Sequence, residues 1–558
     1  MQIAKPQVQA LTRSKTMHAA DGPVVLLILD GVGEGRGDEF DAFAAAHTPT
    51  LDRLHGSGLF RTLRAHGTAV GLPSDNDMGN SEVGHNTLGA GRIFDQGPKR
   101  IDNAIKSGAI WAGSWQNIVH QTHDRKSSLH LIGLLSDGNV HSHMSHLYAL
   151  LDRAAQDGIE EVNVHVLLDG RDVPDRTADQ YVAQLLEHLE AIEKKYGYRY
   201  KIASGGGRMV TTMDRYGADW SIVERGWQAH VLGVARAFDS ALDAIQEFRK
   251  EVPNISDQLL PSFTICDSEG HPVGPINDGD AVVIFNFRGD RVIELSQAFT
   301  ADDSFKHFDR VRVPKVFFAG MTLYDSDLGI PDKYLVEFEQ LPETLSEYLA
   351  STKVREFACA ETQKFGHVTY FWNGNRSGKF DETTETYLEI PSDKVPFDQR
   401  PWMKSAETAD EVIRSIKSRS YDFIRANFAG GDMVGHTGCF DPSRISVEAI
   451  DLAIDRILDA VQDARGCLIV TADHGNVEDM VERSKDGTPR LDGDGNPRWK
   501  TAHSLNPVPF IVVECSGRSY NLASGLDKAG LANVASTIVQ LLGFNAPTEF
   551  EPSLIVDA

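Results

Sequence analysis

Acidic and imidazole side chains occur in four short polar segments that could bind metal ions. These are LDGVG with Asp30, GDMVGHTG with Asp432 and His436, TADHGN with Asp473 and His474, and TAHS with His503. Two hard divalent cations need oxygen or imidazole donors from several parts of a chain, because no single turn can surround both. Any one of these segments alone is typical of a turn or a helix cap. Together they indicate a site for two metal ions.

The spacing within two of these segments supports that interpretation. Asp432 and His436 are four residues apart, so one helical turn would place both on the same face. Asp473 and His474 are adjacent and precede Gly475, so a tight turn after a strand could direct both toward one ion.

Ser81 lies in a polar stretch, DMGNSEVGHN at residues 77–86, that offers little to a hydrophobic core. A serine hydroxyl is a weak nucleophile at neutral pH and needs a neighbouring base or a cation to activate it. Ser81 could begin a helix, where backbone N–H groups favour an anion. The alternative is that Ser81 only caps that helix. With metal ligands elsewhere in the chain, we expect a metal-activated nucleophile.

A second group of polar residues is of the types that bind anions. Its members are His141, Arg171, Asp172, Arg208, Arg215, Arg288 and Arg291, and Lys364 in TQKFGH lies further along the chain. A guanidinium group can bind two oxygens of a phosphate or carboxylate at once. The GRD triplet at 170–172 and the FRGDR segment at 287–291 are the more specific signals. A single arginine is otherwise more often part of a solvated surface ion pair.

These residues follow short apolar runs that predict buried, largely parallel strands. The runs are PVVLLIL before Asp30, HLIGLL before Ser136, VNVHVLL before Asp169, AVVIFNF before Arg288, FIRANF ending at Phe428, and GCLIV before Thr471. Residues 447–464 have a single apolar stripe at helical spacing. Alternating strands and helices predict a doubly wound α/β fold, in which ligands bind beyond the carboxyl ends of the strands.

The metal-type residues lie toward both ends of the chain, and most of the cationic residues lie between them. This order predicts that one domain is inserted into another. We predict a flexible tail, a metal-binding domain in two segments, an inserted substrate-binding domain and two hinges. Their bounds are 1–20 for the tail, 21–95 and 338–558 for the metal-binding domain, 98–330 for the insertion, and 95–98 and 329–342 for the hinges.

Composition narrows the class of protein. The net charge of -25 over 558 residues argues against binding to nucleic acid or to an anionic membrane surface. No apolar run approaches the roughly 18 to 20 residues that cross a bilayer. The five cysteines are widely spaced and form no C-x-x-C pair, which is typical of reduced thiols in the cytoplasm.

Ten segments carry a family resemblance. They are LDGVG, MGNSEVGHN, HLIGLLSDGNVHSH, DGRDVPD, SGGGRM, MDRY, FNFRGDR, ETQKFGHVTYFWNGN, GDMVGHTG and TADHGN. In sequence and in order the chain resembles the cofactor-independent phosphoglycerate mutases of the alkaline phosphatase superfamily, from residue 24 to about residue 507. The resemblance implies an alkaline phosphatase-like α/β/α domain with a second α/β domain inserted.

The resemblance also implies roles for individual residues. One metal ion would be held by Asp432, His436 and His503, and the other by Asp30, Ser81, Asp473 and His474. Ser81 would become phosphoserine, Asp172 would act as general acid or base, and Lys364 would stabilise the transferring phosphoryl group. The glycerate would be bound by His141, Arg171, Asp172, Arg208, Arg215, Arg288, Arg291 and Lys364.

The implied reaction is the reversible conversion of 3-phosphoglycerate and 2-phosphoglycerate by a monomer, without bisphosphoglycerate. Manganese is the expected metal, with cobalt or magnesium as alternatives. One rival interpretation is a metal-dependent phosphohydrolase or another phosphomutase of the superfamily. A second is a non-catalytic sensor of metal and phosphate, which would predict loss of Ser81 or of ligands, and none is missing.

Overall fold

The buried apolar runs form the centres of two separate β-sheets in the computed structural model of the chain. The structure describes residues 8–15, 17, 19–214, 219–302, 305–324, 329–337, 341–484 and 486–558. The chain divides into a first unit, residues 1–96 with 340–558, and a second unit, residues 97–339.

The first unit is built on a mixed sheet. Numbered along the chain, its strands are β1 (Val24–Leu29), β2 (Leu59–Leu63), β10 (Glu356–Glu361), β11 (Glu385–Ile390), β12 (Phe423–Phe428), β13 (Cys467–Thr471), β14 (Val508–Glu514), β15 (Tyr520–Leu522) and β16 (Ile555–Asp557). Within the described residues, seven of them form a sheet in the order β11-β10-β12-β1-β13-β14-β2, and β15 pairs with β16. The five strands from β11 to β13 are parallel, whereas β14 and β2 are antiparallel to their neighbours.

Two groups of helices accompany this sheet. The helices of the first unit are α1 (Ala42–Ala45), α2 (Pro49–Ser57), α3 (Ser81–Ala90), α11 (Leu345–Ser351), α12 (Thr362–Gly366), α13 (Ser405–Ser418), α14 (Gly430–Gly435), α15 (Phe440–Ala464) and α16 (Asn533–Leu541). Helix α15 contacts α1, α2 and α13, and α3 contacts α11 and α16. The predicted stripe of α15 is buried at Ile450, Ile454 and Val461. The predicted helix is therefore confirmed, although it begins one to two turns earlier than expected.

The second unit is also built of helices around a mixed β-sheet of its own. Its strands are β3 (Leu129–Leu135), β4 (Glu161–Leu168), β5 (Arg199–Gly207), β6 (Arg236–Phe238), β7 (Phe263–Ile265), β8 (Ala281–Ile284) and β9 (Phe317–Gly320). The described strands have the order β6-β7-β5-β4-β3-β8-β9, parallel except where β7 meets β5. Its helices are α4 (Gly97–Ser107), α5 (Ser114–Arg125), α6 (Met144–Gln156), α7 (Ala178–Tyr196), α8 (Trp220–Trp227), α9 (Ala241–Glu251) and α10 (Ile293–Thr300).

All six apolar runs form strands, so the predicted α/β fold is confirmed. The runs correspond to β1, β3, β4, β8, β12 and β13. The run AVVIFNF extends three residues beyond its strand, since β8 ends at Ile284. None of the described helices has both the length and the apolar character needed to span a bilayer.

The segment before β1 differs from the expected loose tail. The backbone N–H of Leu11 donates to Thr352 Oγ1 at 2.8 Å, and that of Ser14 donates to the Gly543 carbonyl at 3.0 Å. Met17 is buried in the core of the first unit. The described residues between 8 and 20 therefore pack on the first unit, because backbone hydrogen bonds and one apolar side chain hold them there.

Candidate active site

Three of the metal-type segments meet at one edge of the sheet of the first unit. Strand β1 lies between β12 and β13 and is parallel to both, so the carboxyl ends of the three strands are neighbours. Asp30 directly follows β1, and Asp473 lies two residues after β13. Asp432 is the third residue of α14, which starts soon after β12. The topology thus brings together carboxylates that are up to 443 residues apart in the sequence.

The imidazoles of His436, His474 and His503 are oriented by the backbone. Each has Nδ1 within hydrogen-bonding distance of a carbonyl oxygen, which can only accept. The accepting carbonyls belong to Thr501 at 2.5 Å, Gly475 at 3.2 Å and Gly79 at 2.8 Å, respectively. In the neutral ring Nδ1 therefore carries the hydrogen, and the lone pair is on Nε2. Such contacts fix the tautomer that binds metal.

The Nε2 atoms converge on carboxylate oxygens. His503 Nε2 lies 3.0 Å from His436 Nε2 and 3.1 Å from Asp432 Oδ1. Lone pairs that meet in this way repel one another unless a cation lies among them. The donor types and the burial of all three residues therefore fit a divalent metal ion. The structure brings together all three residues predicted for this ion.

A second set of donors lies beside the first. Asp30, Asp432 and His474 offer atoms within 4.8 Å of one another, as do Asp30, His85 and Asp473. His474 Nε2 is 3.4 Å from Asp30 Oδ1 and 3.8 Å from Asp473 Oδ2. Asp473 Oδ2 is buried and accepts no hydrogen bond within the described part of the chain. A buried carboxylate oxygen without a donor also fits a cation at this position.

Ser81 is the first residue of α3, and its hydroxyl points into the metal-type cluster. Its Oγ lies 3.1 Å from Asp30 Oδ1 and 3.0 Å from His474 Nε2. The capping role considered for Ser81 belongs to Asn80, whose side chain accepts from the Val83 N–H. The Ser81 hydroxyl is therefore not used to cap the helix.

The ammonium group of Lys364 lies among the same atoms. Its Nζ is 2.7 Å from Asp30 Oδ1, 2.7 Å from Asp432 Oδ2 and 2.5 Å from Ser81 Oγ. Burial opposes ionisation of Asp30 and Asp432, but the charge of Lys364 and the contacts with neighbouring histidines together outweigh it and hold the pKa of each carboxyl well below its usual value. The same carboxylates raise the pKa of Lys364 despite its burial.

Negative charge is in excess at this site. Asp30 and Asp432 are buried and held in the ionised form beside the one ammonium of Lys364, and Asp473 adds a third buried carboxyl group. Burial lowers the pKa of His474, but Asp473 and Asp30 more than compensate and raise it to about 9. The charge that attracts a proton to this imidazole attracts a metal ion to the same nitrogen.

Two polar residues that the sequence interpretation missed connect the ligands. His85 Nδ1 donates to the Ser81 carbonyl at 2.8 Å and lies 3.2 Å from Asp473 Oδ2. The Asn427 amide donates to Asp30 Oδ2 at 2.7 Å and to His85 Nε2 at 3.1 Å. Both nitrogens of His85 are thus used, so His85 orients Asp30 through Asn427 rather than binding metal. A signal was present, since His85 is four residues after Ser81 on the same helix.

Glu478 is a third missed residue, and it connects three loops of the site. Its carboxylate accepts from the Gly33 N–H at 2.9 Å, the Asn476 N–H at 2.8 Å and the Asn506 amide at 3.0 Å. These donors lie in the loops that follow Asp30, His474 and His503. A buried glutamate with so many donors holds the loops in a fixed arrangement.

The cationic residues of the second unit gather at the carboxyl edge of its own sheet. They follow β3, β4, β5 and β8, and His141, Asp172, Arg208, Arg288 and Arg291 are buried. Burial lowers the pKa of His141 well below its usual value, and so do the nearby charges of Arg208, Arg288, Arg291 and Arg171. The surface ion-pair alternative is therefore wrong for the three buried arginines. Arg215 lies outside the described residues.

Buried acids hold two of these arginines. Arg208 Nη1 donates to Asp169 Oδ1 at 2.9 Å and also to Asp172 Oδ2. Arg288 Nε lies 3.0 Å from Asp290 Oδ1, and His141 Nδ1 is 3.5 Å from the same oxygen. Asp169 and Asp290 were not predicted as site residues, although both lie inside the strand-end motifs. The arrangement can bind an anion with several oxygens.

Comparison with known proteins identifies the family. The model of a metalloenzyme superfamily matches residues 22–546. The 2,3-bisphosphoglycerate-independent phosphoglycerate mutase of Trypanosoma brucei brucei is 52% identical over 535 residues, 95% of this chain and 97% of that protein. A probable enzyme of this name from Arabidopsis thaliana is 49% identical over 536 residues, 95% of both chains.

A solved structure agrees in fold as well. A crystal structure of Leishmania mexicana phosphoglycerate mutase at low cobalt concentration has a TM-score of 0.95 and 50% sequence identity, covering 98% of this chain and all of the other. The resemblance noted from the motifs is thereby confirmed. The chain belongs to the 2,3-bisphosphoglycerate-independent phosphoglycerate mutases, within the metalloenzyme superfamily.

Proposed function

We propose that this chain interconverts 3-phosphoglycerate and 2-phosphoglycerate through a phosphoserine at Ser81. The observation that carries the proposal is the position of Ser81 Oγ, within hydrogen-bonding distance of Asp30, His474 and Lys364. The start of α3 adds backbone N–H groups that favour an anion at the same place.

We assign two divalent cations to the site. Asp432, His436 and His503 would hold one, and Asp30, Ser81, Asp473 and His474 would hold the other. When bound, these cations would lower the pKa of the serine hydroxyl and offset the charge of the phosphoryl group. Manganese is our proposed metal, with cobalt or magnesium as alternatives. The cobalt named for the Leishmania crystals supports a site of this ligand type.

The residues of the chain have separate tasks in the transfer. The Ser81 hydroxyl loses its proton to solvent, its Oγ attacks phosphorus to form an O–P bond, and the bond between phosphorus and the glycerate oxygen breaks; Ser81 regains a proton when the phosphoryl group is returned. Lys364, 2.5 Å from Ser81 Oγ, stabilises charge on the serine oxygen and on the phosphoryl group. Asp172 gives a proton to the glycerate oxygen that leaves, and takes one from the other hydroxyl before the phosphoryl group returns to it.

The second unit retains the glycerate in this proposal. His141, Arg171, Arg208, Arg215, Arg288 and Arg291 bind its carboxylate and hydroxyl oxygens. The burial of Arg208, Arg288 and Arg291 supports this role, because a buried guanidinium group binds an anion more strongly than an exposed one. Release of glycerate before the second transfer would leave the phosphoserine to water and convert the enzyme to a phosphatase.

The first test concerns the metal and the outcome of the reaction. Metal is removed by chelation, manganese, cobalt or magnesium is added back, and 2-phosphoglycerate formed from 3-phosphoglycerate is followed without bisphosphoglycerate. We expect activity to return with a divalent cation, and manganese to be the most effective. Release of inorganic phosphate in place of 2-phosphoglycerate would contradict retention of the glycerate.

The second test concerns the nucleophile. Ser81→Ala should abolish turnover and the gain of one phosphoryl group seen by intact-protein mass spectrometry after rapid quenching in acid. Ser415→Ala is the matched control, because Ser415 is also a buried helical serine but lies on α13, away from the cluster. Turnover by the Ser81 variant equal to that of the control would refute the phosphoserine route.

We also propose that the protein acts as a monomer in the cytoplasm, with phosphoglycerate as its partner molecule and neither nucleic acid nor membrane. All five cysteines are free, which supports a reducing compartment. Light scattering after gel filtration should give a mass near 61.3 kDa. A mass of twice that value would contradict the monomer.

A further inference from the structure

A chain of buried hydrogen bonds crosses the sheet of the second unit, apart from the anion-binding residues. His130 on β3 lies 3.2 Å from Asp280 through Nε2 and 2.9 Å from His165 through Nδ1. His165 on β4 lies 2.7 Å from the hydroxyl of Ser204 on β5. The same hydroxyl is 2.7 Å from His230 Nδ1, in a π-helical turn at Gln228–Leu232. All three histidines are buried.

The carboxylate at one end sets the direction of the bonds that start from a neutral His130 ring. Burial raises the pKa of Asp280, but the contact with His130 and the backbone N–H groups of Asn277 and Ser128 together lower it below its usual value, so Asp280 is an anion that only accepts. His130 must therefore donate from Nε2, and in the neutral ring its Nδ1 accepts from His165. Ser204 then donates to His165 and accepts from His230. Burial lowers the pKa of His165 well below its usual value and that of His230 to about 3, so both rings are neutral.

The far end of the chain is Thr212. His230 Nε2 has the remaining lone pair, so it accepts from the Thr212 hydroxyl at 2.9 Å. Thr212 has φ of 73°, in the left-handed region that a β-branched residue rarely adopts. Its N–H donates to the Ile222 carbonyl at 2.8 Å. Helix α8 passes so closely that a Cβ on Gly226 would lie 2.0 Å from Thr212 Oγ1. The surroundings thus hold Thr212 in an unfavourable conformation.

The strained residue precedes a contact with the anion-binding group. The carbonyl of Met213 accepts from Arg291 Nη1 at 2.8 Å. The conformation of Thr212 sets the direction in which the next peptide continues, and so the position of the Met213 carbonyl. Arg291 is buried, with 4% of its surface exposed, so it has little freedom to find another arrangement. Backbone strain next to a functional side chain is typical of a conformation that function requires.

We propose that His230 and Thr212 are positioning residues for substrate binding, which fix Arg291 through the Met213 carbonyl. This inference rests on the proposed function, in which Arg291 binds the phosphoglycerate. The hydroxyl of Thr212 holds the strained turn, and His230, at the end of the hydrogen-bond chain, holds the hydroxyl.

The test compares variants of the full, manganese-loaded protein with 3-phosphoglycerate as substrate. Thr212→Val keeps the branched shape and removes the hydroxyl, whereas Thr212→Ser keeps the hydroxyl. We expect Thr212→Val to raise KM about tenfold, as for one lost hydrogen bond, with kcat within about twofold of the parent. Thr212→Ser should retain the parental KM. His230→Leu should behave as Thr212→Val, and His230→Gln, whose amide oxygen can accept, should restore most of the affinity.

Arg291→Met separates failure of this inference from failure of the proposed function. If Arg291→Met leaves KM unchanged, Arg291 does not bind substrate and the proposed function is wrong at this residue. If Arg291→Met raises KM but Thr212→Val and His230→Leu do not, the positioning role is overturned. Thermal unfolding is measured in parallel. Variants that melt at lower temperature but keep the parental KM also overturn the positioning role, because only stability then depends on the hydrogen bond.

Discussion

Glu361 has a buried carboxyl group at the end of the strand that leads to Lys364. It is the last residue of β10, and 3% of its surface is exposed. Ser392 Oγ donates to its Oε2 at 2.8 Å, and the Lys404 N–H lies 3.4 Å from its Oε1. Burial raises the pKa of Glu361 to about 7, and these hydrogen bonds compensate only in part. Folding therefore opposes its ionisation.

The pKa determines how stability should depend on pH. Between pH 4.5 and about 7 the unfolded chain loses the proton while the folded protein retains it, so the free energy of unfolding falls as pH rises. At about 1.4 kcal/mol for each pH unit, the total over this interval is about 3 kcal/mol. Glu361→Gln has no proton to lose. Its stability relative to the parent should therefore increase by about 3 kcal/mol from pH 4.5 to 7 and stay constant above that.

Urea unfolding of the two proteins at a series of pH values measures this difference. The test uses only the change with pH of the difference in unfolding free energy between the two proteins. An effect of the amide on packing that does not depend on pH therefore does not contribute. Glu389→Gln, at an exposed glutamate on the neighbouring strand β11, controls for loss of one negative charge at this end of the sheet. A difference between parent and Glu361→Gln that is constant from pH 4.5 to 8 would refute the reasoning, since burial would then not disfavour the charged form.

Three further substitutions test the packing and the site. Arg425→Met should destabilise the protein by about 3 to 5 kcal/mol in urea unfolding, because Arg425 and Glu356 form a fully buried pair at 2.7 Å and the carboxyl would lose its charged partner, keeping the Ser346 hydroxyl. Gly226→Ala should raise KM for 3-phosphoglycerate, because the added methyl group collides with the Thr212 hydroxyl; an unchanged KM would show that α8 can move away. His85→Phe should weaken manganese binding by about 10- to 100-fold in calorimetry, as expected for loss of a group that orients a ligand. Equal affinity in this variant would mean that His85 does not orient Asp30 through Asn427.

Much of the fold could be predicted because a buried parallel strand has a distinctive sequence. The runs before Asp30 and after Arg465 are apolar on both faces, and they form the adjacent strands β1 and β13. The antiparallel edge formed by β14 and β2 was not predicted. Its register depends on pairing between residues such as Phe60 and Ile511, which local periodicity does not reveal.

The candidate site was predictable where ligands follow strands directly, and less so where they depend on tertiary contacts. Asp30, Asp432 and Asp473 follow strands, so their convergence could be expected from topology alone. Asn427 is inside β12, and its orientation toward Asp30 depends on which face of the strand is adjacent to α3. Asp290 lies in FRGDR, but its role as partner of Arg288 requires the path of the loop.

The position of β1 in the middle of its sheet has a consequence for synthesis. Val24 pairs on one side with Phe423 and on the other with Cys467. At about 5 to 20 residues per second, a ribosome needs roughly 20 to 90 s to supply both neighbours after β1 has been made. Throughout that interval the segment VVLLIL is an apolar strand with no sheet to join, a state prone to aggregation. Residues 97–339, which are continuous in the chain, can meanwhile complete their own sheet. The nascent polypeptide is therefore most vulnerable at its first strand, and a chaperone that shields this strand during translation would raise the yield of active enzyme.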